Sequence, residues 1–420
     1  MPNGFKLIRN RWVFDIKSDG QKRARLVAKG FSQIEGIDYN ALFSPVVWYE
    51  SVRLLFALAS LEQWHMQAVD VKTAFLYGKL DEELYMLQPQ GFLEKGKEKL
   101  VWRLNCAIYR LKQAALTWWK ELEASMKRLG FTHCQSDAGI FFNKEYKIGV
   151  IAYVDDCLFI GKELKRVLQA KEAFMTIWEC RDLGKAKEFL QMRIRREGRK
   201  LILDQQDYLD KIVKRFDMQE SNTAYTPLPS GYEPEEHKEK TTDAFREEYQ
   251  SVVGSLSYIM IGTRPNISFA VTKMAQFSAN PSPKHMCAAK HIIAYLKTTP
   301  KMSRVFDGVS NKGLIAFTDS DWASDKISRR SQTGYFFQLA GASFTWQSQA
   351  QKTIALSSTE YMALSDCSRQ VVWIKSLLSK LGIDVPPIHV AGDNQGSLFI
   401  GSNPVTEKRS KHIDIRYHYI

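Results

Sequence analysis

The sequence predicts a multidomain protein of the α+β / α/β class. Three observations lead there. At 420 residues the chain is longer than one hydrophobic core ordinarily organises, so two or three compact units are expected. Segments rich in β-branched and aromatic residues dominate up to about residue 205, whereas residues 243–300 carry helical periodicity. The remainder follows a third order: three short strands, a long helix, one more strand, then further helical pattern.

Taken along the chain, Ile148 to Ile160 reads as two apolar strands joined at Asp155-Asp156, a β-hairpin with acids at its tip. Between Ser221 and Thr242 the composition shifts to Pro, Glu, Lys and Thr, as expected of an exposed linker. Pro281 and Pro283 break one helix before another runs from about Lys284 to Lys297. Leu314 to Thr318, Thr333 to Leu339 and Ala342 to Trp346 are predicted strands, with another at Pro387 to Ala391. In the long helix before that last strand, Leu364, Cys367, Val371, Ile374, Leu378 and Leu381 recur every three or four residues, and Gly382 follows as a stop. The expected divisions are 1–205, 206–305 and 306–420.

With 45% hydrophobic residues the chain can bury large cores, and no run approaches the roughly 20 apolar residues needed to span a bilayer. No membrane role is expected. Lys and Arg number 59 against 46 Asp and Glu, a net +13 that favours a polyanionic partner. The six cysteines have no short paired spacing, which argues against a zinc knuckle and a disulfide framework and for a reduced intracellular setting. His412 and His418 lack the cysteines of a closed zinc site and read as substrate-side or structural groups. The N-terminus has no signal-peptide pattern. Trp118-Trp119 reads as helix core rather than a base-stacking surface.

Asp155 and Asp156 carry the most chemistry. Adjacent carboxylates between apolar strands repel each other, and a hard divalent cation relieves that repulsion. Asp is also a common turn former, so the pair alone would fit a polar hairpin tip. Upstream, Gln67-Ala68-Val69-Asp70-Val71 supplies a third acid at the end of another apolar strand. Three acids holding two metal ions form the clamp used for in-line phosphoryl transfer.

The segments Arg11-Trp12-Val13-Phe14, Ala24-Arg25-Leu26-Val27-Ala28-Lys29-Gly30-Phe31-Ser32-Gln33, Val69-Asp70-Val71-Lys72-Thr73-Ala74-Phe75-Leu76 and Tyr153-Val154-Asp155-Asp156 resemble copia-type retrotransposon reverse transcriptases in order and approximate spacing. The resemblance implies a right-hand polymerase with fingers and palm and a helical connection. In it, Asp70, Asp155 and Asp156 would be the catalytic, metal-binding triad. By the same matching, Phe75 would be the aromatic gate against the ribose 2′-hydroxyl, Arg25 would touch the incoming triphosphate, and Gln113 would line the nucleotide pocket. A guanidinium suits phosphate and a bulky ring suits sugar exclusion. Val253-Gly254-Ser255-Leu256-Ser257-Tyr258 and Thr263-Arg264-Pro265-Asn266-Ile267 resemble the family's connecting region.

A second set of acids lies further on: Asp319 after a strand, Glu360 opening the long helix, Asp393 after the last strand, and Asp414. Ser357-Ser358-Thr359-Glu360 also reads as a capping box, yet Glu360 continues the stripe that faces the sheet, an odd place for an acid without a cation. With Thr318-Asp319-Ser320-Asp321-Trp322-Ala323, Asp393-Asn394-Gln395 and Lys411-His412-Ile413-Asp414, these acids resemble the ribonuclease H domain attached to copia-type polymerases. That implies a mixed-sheet, ribonuclease H-like domain in which Asp319, Glu360, Asp393 and Asp414 are catalytic metal ligands, with Asp321 in reserve for the first.

The resemblance implies Mg²⁺ as cofactor, two per active site with Mn²⁺ as substitute. The implied partners are an RNA template, a DNA primer, an RNA-DNA hybrid and deoxynucleoside triphosphates, in a cytoplasmic particle or the nucleus; nothing sets an oligomeric state. Family domains carry extra residues before Arg11 and a last helix that continues past Ile420, so a C-terminally truncated fragment is expected. Arg110 and Ala114 stand where Gly and Pro are usual, and Asn266 where Asp is usual. Ser358-Thr359-Glu360-Tyr361 is about two residues short of the family's run. At about 100° per residue, that loss would turn Glu360 by most of half a turn. The alternative function is therefore a catalytically inactive nucleic-acid-binding remnant.

Overall fold

The computed structural model describes residues 7–16, 20–309, 313–321, 327–352, 358–384 and 387–402. In chain order the strands and helices begin with β1 (Leu7–Ile8), β2 (Asn10–Ile16), β3 (Lys22–Ala28), α1 (Tyr49–Leu61), β4 (His65–Val71), β5 (Lys79–Leu87) and β6 (Val101–Cys106). They continue with α2 (Ala114–Arg128), β7 (Thr132–Cys134), β8 (Asp137–Asn143), β9 (Ile148–Tyr153), β10 (Asp156–Gly161), α3 (Leu164–Ile177) and β11 (Cys180–Lys185). Next come β12 (Glu188–Phe189), β13 (Met192–Glu197), β14 (Lys200–Asp204), α4 (Gln206–Arg215), α5 (Asp243–Gly262), α6 (Ser268–Ala275) and α7 (Pro283–Thr298). The last are β15 (Arg304–Phe306), β16 (Ile315–Ser320), β17 (Gln332–Leu339), β18 (Ala342–Ala350), α8 (Thr359–Lys380), β19 (His389–Ala391) and α9 (Gln395–Ser402).

These elements form two compact units, Met1–Trp48 with His65–Lys185, and Tyr49–Trp64 with Ala186–Ile420. Strand β14 pairs with β15, Leu201 opposite Phe306, so a contact of long sequence range ties residues on both sides of 205 together. Helix α1, with every residue from Ser51 to Ser60 buried, belongs to the second unit although it lies in the first half of the chain.

The first unit is built on a six-stranded sheet of order β11-β4-β10-β9-β8-β7. Val69, Val71, Val150, Ala152, Cys157 and Phe159 share a core with Trp118 and Leu122 of α2 and Val167 and Phe174 of α3. Trp118 is thus core, as its helical context predicts, because its large apolar ring gains most from leaving water. A three-stranded sheet, β1-β5-β6, and a two-stranded ribbon, β2-β3, complete the unit.

In the second unit β12-β13-β14-β15 form one sheet, and Tyr249, Leu256, Val271, Met274 and Ile292 interlock α5, α6 and α7. The predicted helix before Lys297 begins at Pro283, capped by Ser282, whose side chain accepts from the His285 backbone N–H at 3.2 Å. Residues 221–242 hold no helix or strand, as expected of a linker, yet they are anchored. The Thr241 hydroxyl donates to the Pro281 carbonyl at 2.6 Å, and Ala224 N–H to the Thr298 hydroxyl at 3.1 Å. A second sheet, β18-β17-β16-β19, is antiparallel except for the β16-β19 pair. The predicted stripe of α8 is buried at Leu364, Cys367, Ile374, Leu378 and Leu381. Gly382, at φ +71°, closes the helix: its N–H donates to the Ser379 carbonyl and that of Ile383 to Leu378.

Candidate active sites

In the first unit, β4 and β10 run antiparallel with Asp70 opposite Asp156, so their side chains leave the same face of the sheet. The hairpin turn lies one residue earlier than the sequence reading put it. Val154 and Asp155 form the turn, and Asp156 already pairs with Tyr153 as the first residue of β10. Val154 sits at φ +56°, a conformation that a β-branched residue adopts only when its surroundings impose it. Two bonds do so: the Trp118 indole donates to the Val154 carbonyl at 2.7 Å, and the Val71 N–H to the Asp155 carbonyl at 2.8 Å.

Burial pushes the Asp155 carboxyl up, and the charge of Asp70 pushes in the same direction, while Arg23 and Arg25 pull it back. Asp70 therefore faces the hairpin, and the basic side of the β2-β3 ribbon faces it too. The Arg25 guanidinium also lies over the Tyr109 ring at 5.7 Å, and Tyr109 meets Phe75 edge-on at 5.4 Å. Phe75 follows Thr73, which turns the chain at φ +53° out of β4 into a short 3₁₀ turn. Arg25, Tyr109 and Phe75 thus form a continuous row beside the acids.

Gln113 is buried, accepting from the Gln33 side chain at 3.0 Å and donating to the Asp38 carbonyl at 2.8 Å. The segment after β3 packs closely on the one before α2, and a Cβ on Gly30 would collide with the Arg110 carbonyl.

The second unit gathers its acids more tightly. The parallel pairing of β16 with β19 carries Asp319 and Asp393 to the same end of the sheet, and α8 delivers Glu360 from its first turn. One carboxylate oxygen from each lies within 4.8 Å of the others, the one such group of three among the described residues. Burial raises the Glu360 carboxyl to about 7, with the charges of Asp319 and Asp393 adding to the effect. The Asp321 carboxylate accepts the Gln332 N–H at 2.7 Å, and its charge also raises Glu360, while it is Asp319 whose oxygen joins the group of three. Glu360 stands in the cluster with the shortened Ser358-Tyr361 run as it is, and Ser357, the cap of the expected capping box, lies outside the described residues. The buried Gln351 amide nitrogen lies 3.2 Å from the Ser320 hydroxyl and 3.0 Å from both the Thr333 hydroxyl and the Thr359 carbonyl, and its two hydrogens link the helix start to the strands. Asp414, His412 and His418 lie outside the described residues.

Residues 1–230 match a family model described as "Reverse transcriptase (RNA-dependent DNA polymerase)". The chain belongs to the reverse transcriptase family. Among relatives, the Retrovirus-related Pol polyprotein from transposon TNT 1-94 of Nicotiana tabacum is 38% identical over 438 residues, covering all of this chain and 33% of the relative. The Retrovirus-related Pol polyprotein from transposon RE1 of Arabidopsis thaliana is 35% identical over 431 residues, covering all of this chain and 29% of the relative. The Putative transposon Ty5-1 protein YCL074W of Saccharomyces cerevisiae is 30% identical over 313 residues, 72% of this chain and all of that protein. This reverse transcriptase chain thus spans about a third of the length of the Pol polyproteins it matches, and the resemblance to copia-type elements is a true kinship.

Sequence reasoning missed two residues that stand beside these acid clusters. Tyr109 could have been found only through its ring, since its neighbours differ from the usual pattern. Gln351 carries no local signal, being one glutamine in a polar strand end.

Proposed function

We propose that this chain is an RNA-directed DNA polymerase with an attached ribonuclease H, a right-hand polymerase of the copia type joined by a helical connection to a ribonuclease H-like domain. The observation that carries this reading is the meeting of Asp70 with the Asp155-Asp156 hairpin at one end of the β4-β10 pair. Carboxylate oxygens are hard donors and fit Mg²⁺ or Mn²⁺. Asp70, Asp155 and Asp156 would hold the metal of the polymerase, and Asp319, Glu360 and Asp393, with Asp414, that of the nuclease. The Glu360 carboxyl is raised first by burial and then by the charges of Asp319 and Asp393, a repulsion that a cation would relieve. Bound metal would supply a Lewis acid that favours ionised oxygen on the attacking and leaving groups.

The chain's own residues do the rest. Arg23 and Arg25 favour ionised Asp155, and Arg25 would bind the triphosphate of an incoming deoxynucleotide on the RNA template. The Phe75 ring, backed by Tyr109, would stand against a ribose 2′-hydroxyl. Extension of a labelled DNA primer on an RNA template with Mg²⁺ tests the polymerase. Release of fragments from labelled RNA in a hybrid tests the nuclease. This reading places the protein inside the cell, in a particle or the nucleus.

A second reading, a nucleic-acid-binding remnant without polymerase activity, is favoured by two observations. Asp70, Asp155 and Asp156 do not form a three-acid group as tight as the Asp319 cluster, and the Gln113 amide is bonded to Gln33 and Asp38. Binding of primer-template without extension would support it.

A further inference from the structure

Helix α8 covers one face of the β18-β17-β16-β19 sheet, where the Gln370 amide donates to the Thr345 hydroxyl at 3.4 Å. Side chains of the alternate register leave the opposite face. There the strand pairings set them in three rungs. Asp319, Gly334 and Ser348 stand opposite one another in the first, Phe317, Phe336 and Trp346 in the second, and Ile315, Gln338 and Ser343 in the third. Asp319 and Ile315 are four residues apart on β16, about 13 Å at the usual strand rise.

A cavity of about 790 Å³ lies between this face and the residues that lead into α6, and it reaches all three rungs. That volume is typical of sites that enclose a small organic molecule. Its middle is a place for a flat ring. Phe317 and Phe336 stack with centroids 4.8 Å apart and planes 17° from parallel, Trp346 continues the row, and Phe269 of α6 lines the cavity as well. A further aromatic ring gains both from leaving water and from offset stacking on such a row.

The two ends carry opposite charge. Asp319 and Asp393 line one end. At the other, Nη1 of Arg304 donates to the Ser343 hydroxyl at 2.7 Å, while its Nε is buried with no acceptor. Burial pushes the Arg304 guanidinium down, the charge of Arg264 pushes it the same way, and among the described residues no acid opposes them. Arg264 is itself buried and bonded to Thr299 and Asn266 rather than to a carboxylate. A half-buried cation with a donor unspent and a like charge beside it is completed by an anion. In the field of two guanidiniums a doubly charged phosphate gains more than a carboxylate, and the acids at the far end turn it toward Arg304.

We propose that this cavity is a binding site for a small planar aromatic anion, an aryl or heteroaryl phosphate, with its ring on Phe317 and Phe336, its phosphate on Arg304 and its uncharged edge toward Asp319 and Asp393. Such a ligand would stand over the acids of the nuclease, a consequence that rests on the proposed function; the binding itself does not.

The test is a fluorescence titration of the full chain in chelator with naphthyl phosphate, and with naphthol as the same ring without its charge. Wild type binds naphthyl phosphate at least about tenfold more tightly than naphthol. Arg304→Met weakens naphthyl phosphate about tenfold to a hundredfold and leaves naphthol unchanged, whereas Phe336→Ala weakens both. Equal binding of the two ligands by wild type would overturn the proposal without recourse to any variant. So would a folded Arg304→Met chain that keeps its affinity for naphthyl phosphate, or one that loses affinity only for an RNA-DNA hybrid, which would make Arg304 a contact for the phosphates of the substrate. Arg304-dependent binding by a chain that releases no RNA from a hybrid would sink the nuclease reading and leave the site standing.

Discussion

Asp156 of β10 lies directly opposite Asp70 of β4, and the turn residue Asp155 feels the charge of Asp70. Removing one of these charges while keeping its shape tests whether they act together. Asp70→Asn and Asp155→Asn are each expected to lower primer extension at least about a hundredfold. Thermal unfolding should be unchanged or shifted upward, because the substitution relieves like-charge repulsion. Loss of activity accompanied by a large fall in melting temperature would count against a catalytic role.

Phe75 meets Tyr109 edge-on at 5.4 Å and, under the proposed function, guards the sugar of the incoming nucleotide. Phe75→Val should raise ribonucleotide incorporation relative to deoxynucleotide by about tenfold to a hundredfold, the worth of one steric contact of this size. Competition between the two nucleotide types in single-nucleotide extension reads the ratio. Tyr109→Phe keeps the ring that backs Phe75 and should leave discrimination unaltered.

The Glu360 carboxyl is raised to about 7, chiefly by burial and then by Asp319 and Asp393. Native protein without divalent metal therefore binds more protons than unfolded protein between the ordinary carboxyl range and about pH 7. Stability conferred by the protonated form is present at low pH and is lost as pH rises through that window. The melting temperature in chelator should fall between about pH 5 and about pH 8, and Mg²⁺ should restore more of it at the upper end. Glu360→Gln should flatten the profile and remove the Mg²⁺ effect. A flat wild-type profile would show that the three acids do not repel one another.

Arg53 of α1 is fully buried. It donates to the carbonyls of Phe344, Ile261 and Gly262, and lies 3.9 Å from the centre of the Trp346 ring. Burial lowers it to about 10, with the charge of Glu50 opposing the shift. Arg53→Met would leave three carbonyls without their donor and cost about 3 kcal/mol or more. Arg53→Lys should recover little of this, because an ammonium cannot reproduce the flat fork or its stack on the indole. Urea denaturation followed by far-ultraviolet dichroism gives the difference.

Much of this was readable in advance because local chemistry decided it. The α8 stripe from Leu364 to Leu381 and the Gly382 stop are written in periodicity and backbone freedom, so the helix appears where they put it. The acids of the hairpin were visible as charges between apolar strands. The one-residue offset of the turn was not, since Val154 is a poor turn residue and its left-handed backbone is imposed by Trp118 and Val71 from elsewhere.

What the sequence determined by itself was the set of elements and the residue types able to hold a metal, because propensity, periodicity and charge act over a few neighbours. Only the tertiary structure decided which of those residues meet. It set the Gln113 amide against Gln33 and Asp38, brought Asp319, Glu360 and Asp393 together, and placed the Gln351 amide between the strands and the start of α8. It also moved α1 and its buried Arg53 into the second unit. Each of these depends on a hydrogen bond between residues remote in sequence or on packing across a core. Such bonds form only once the sheets have set their register, and no local pattern encodes them.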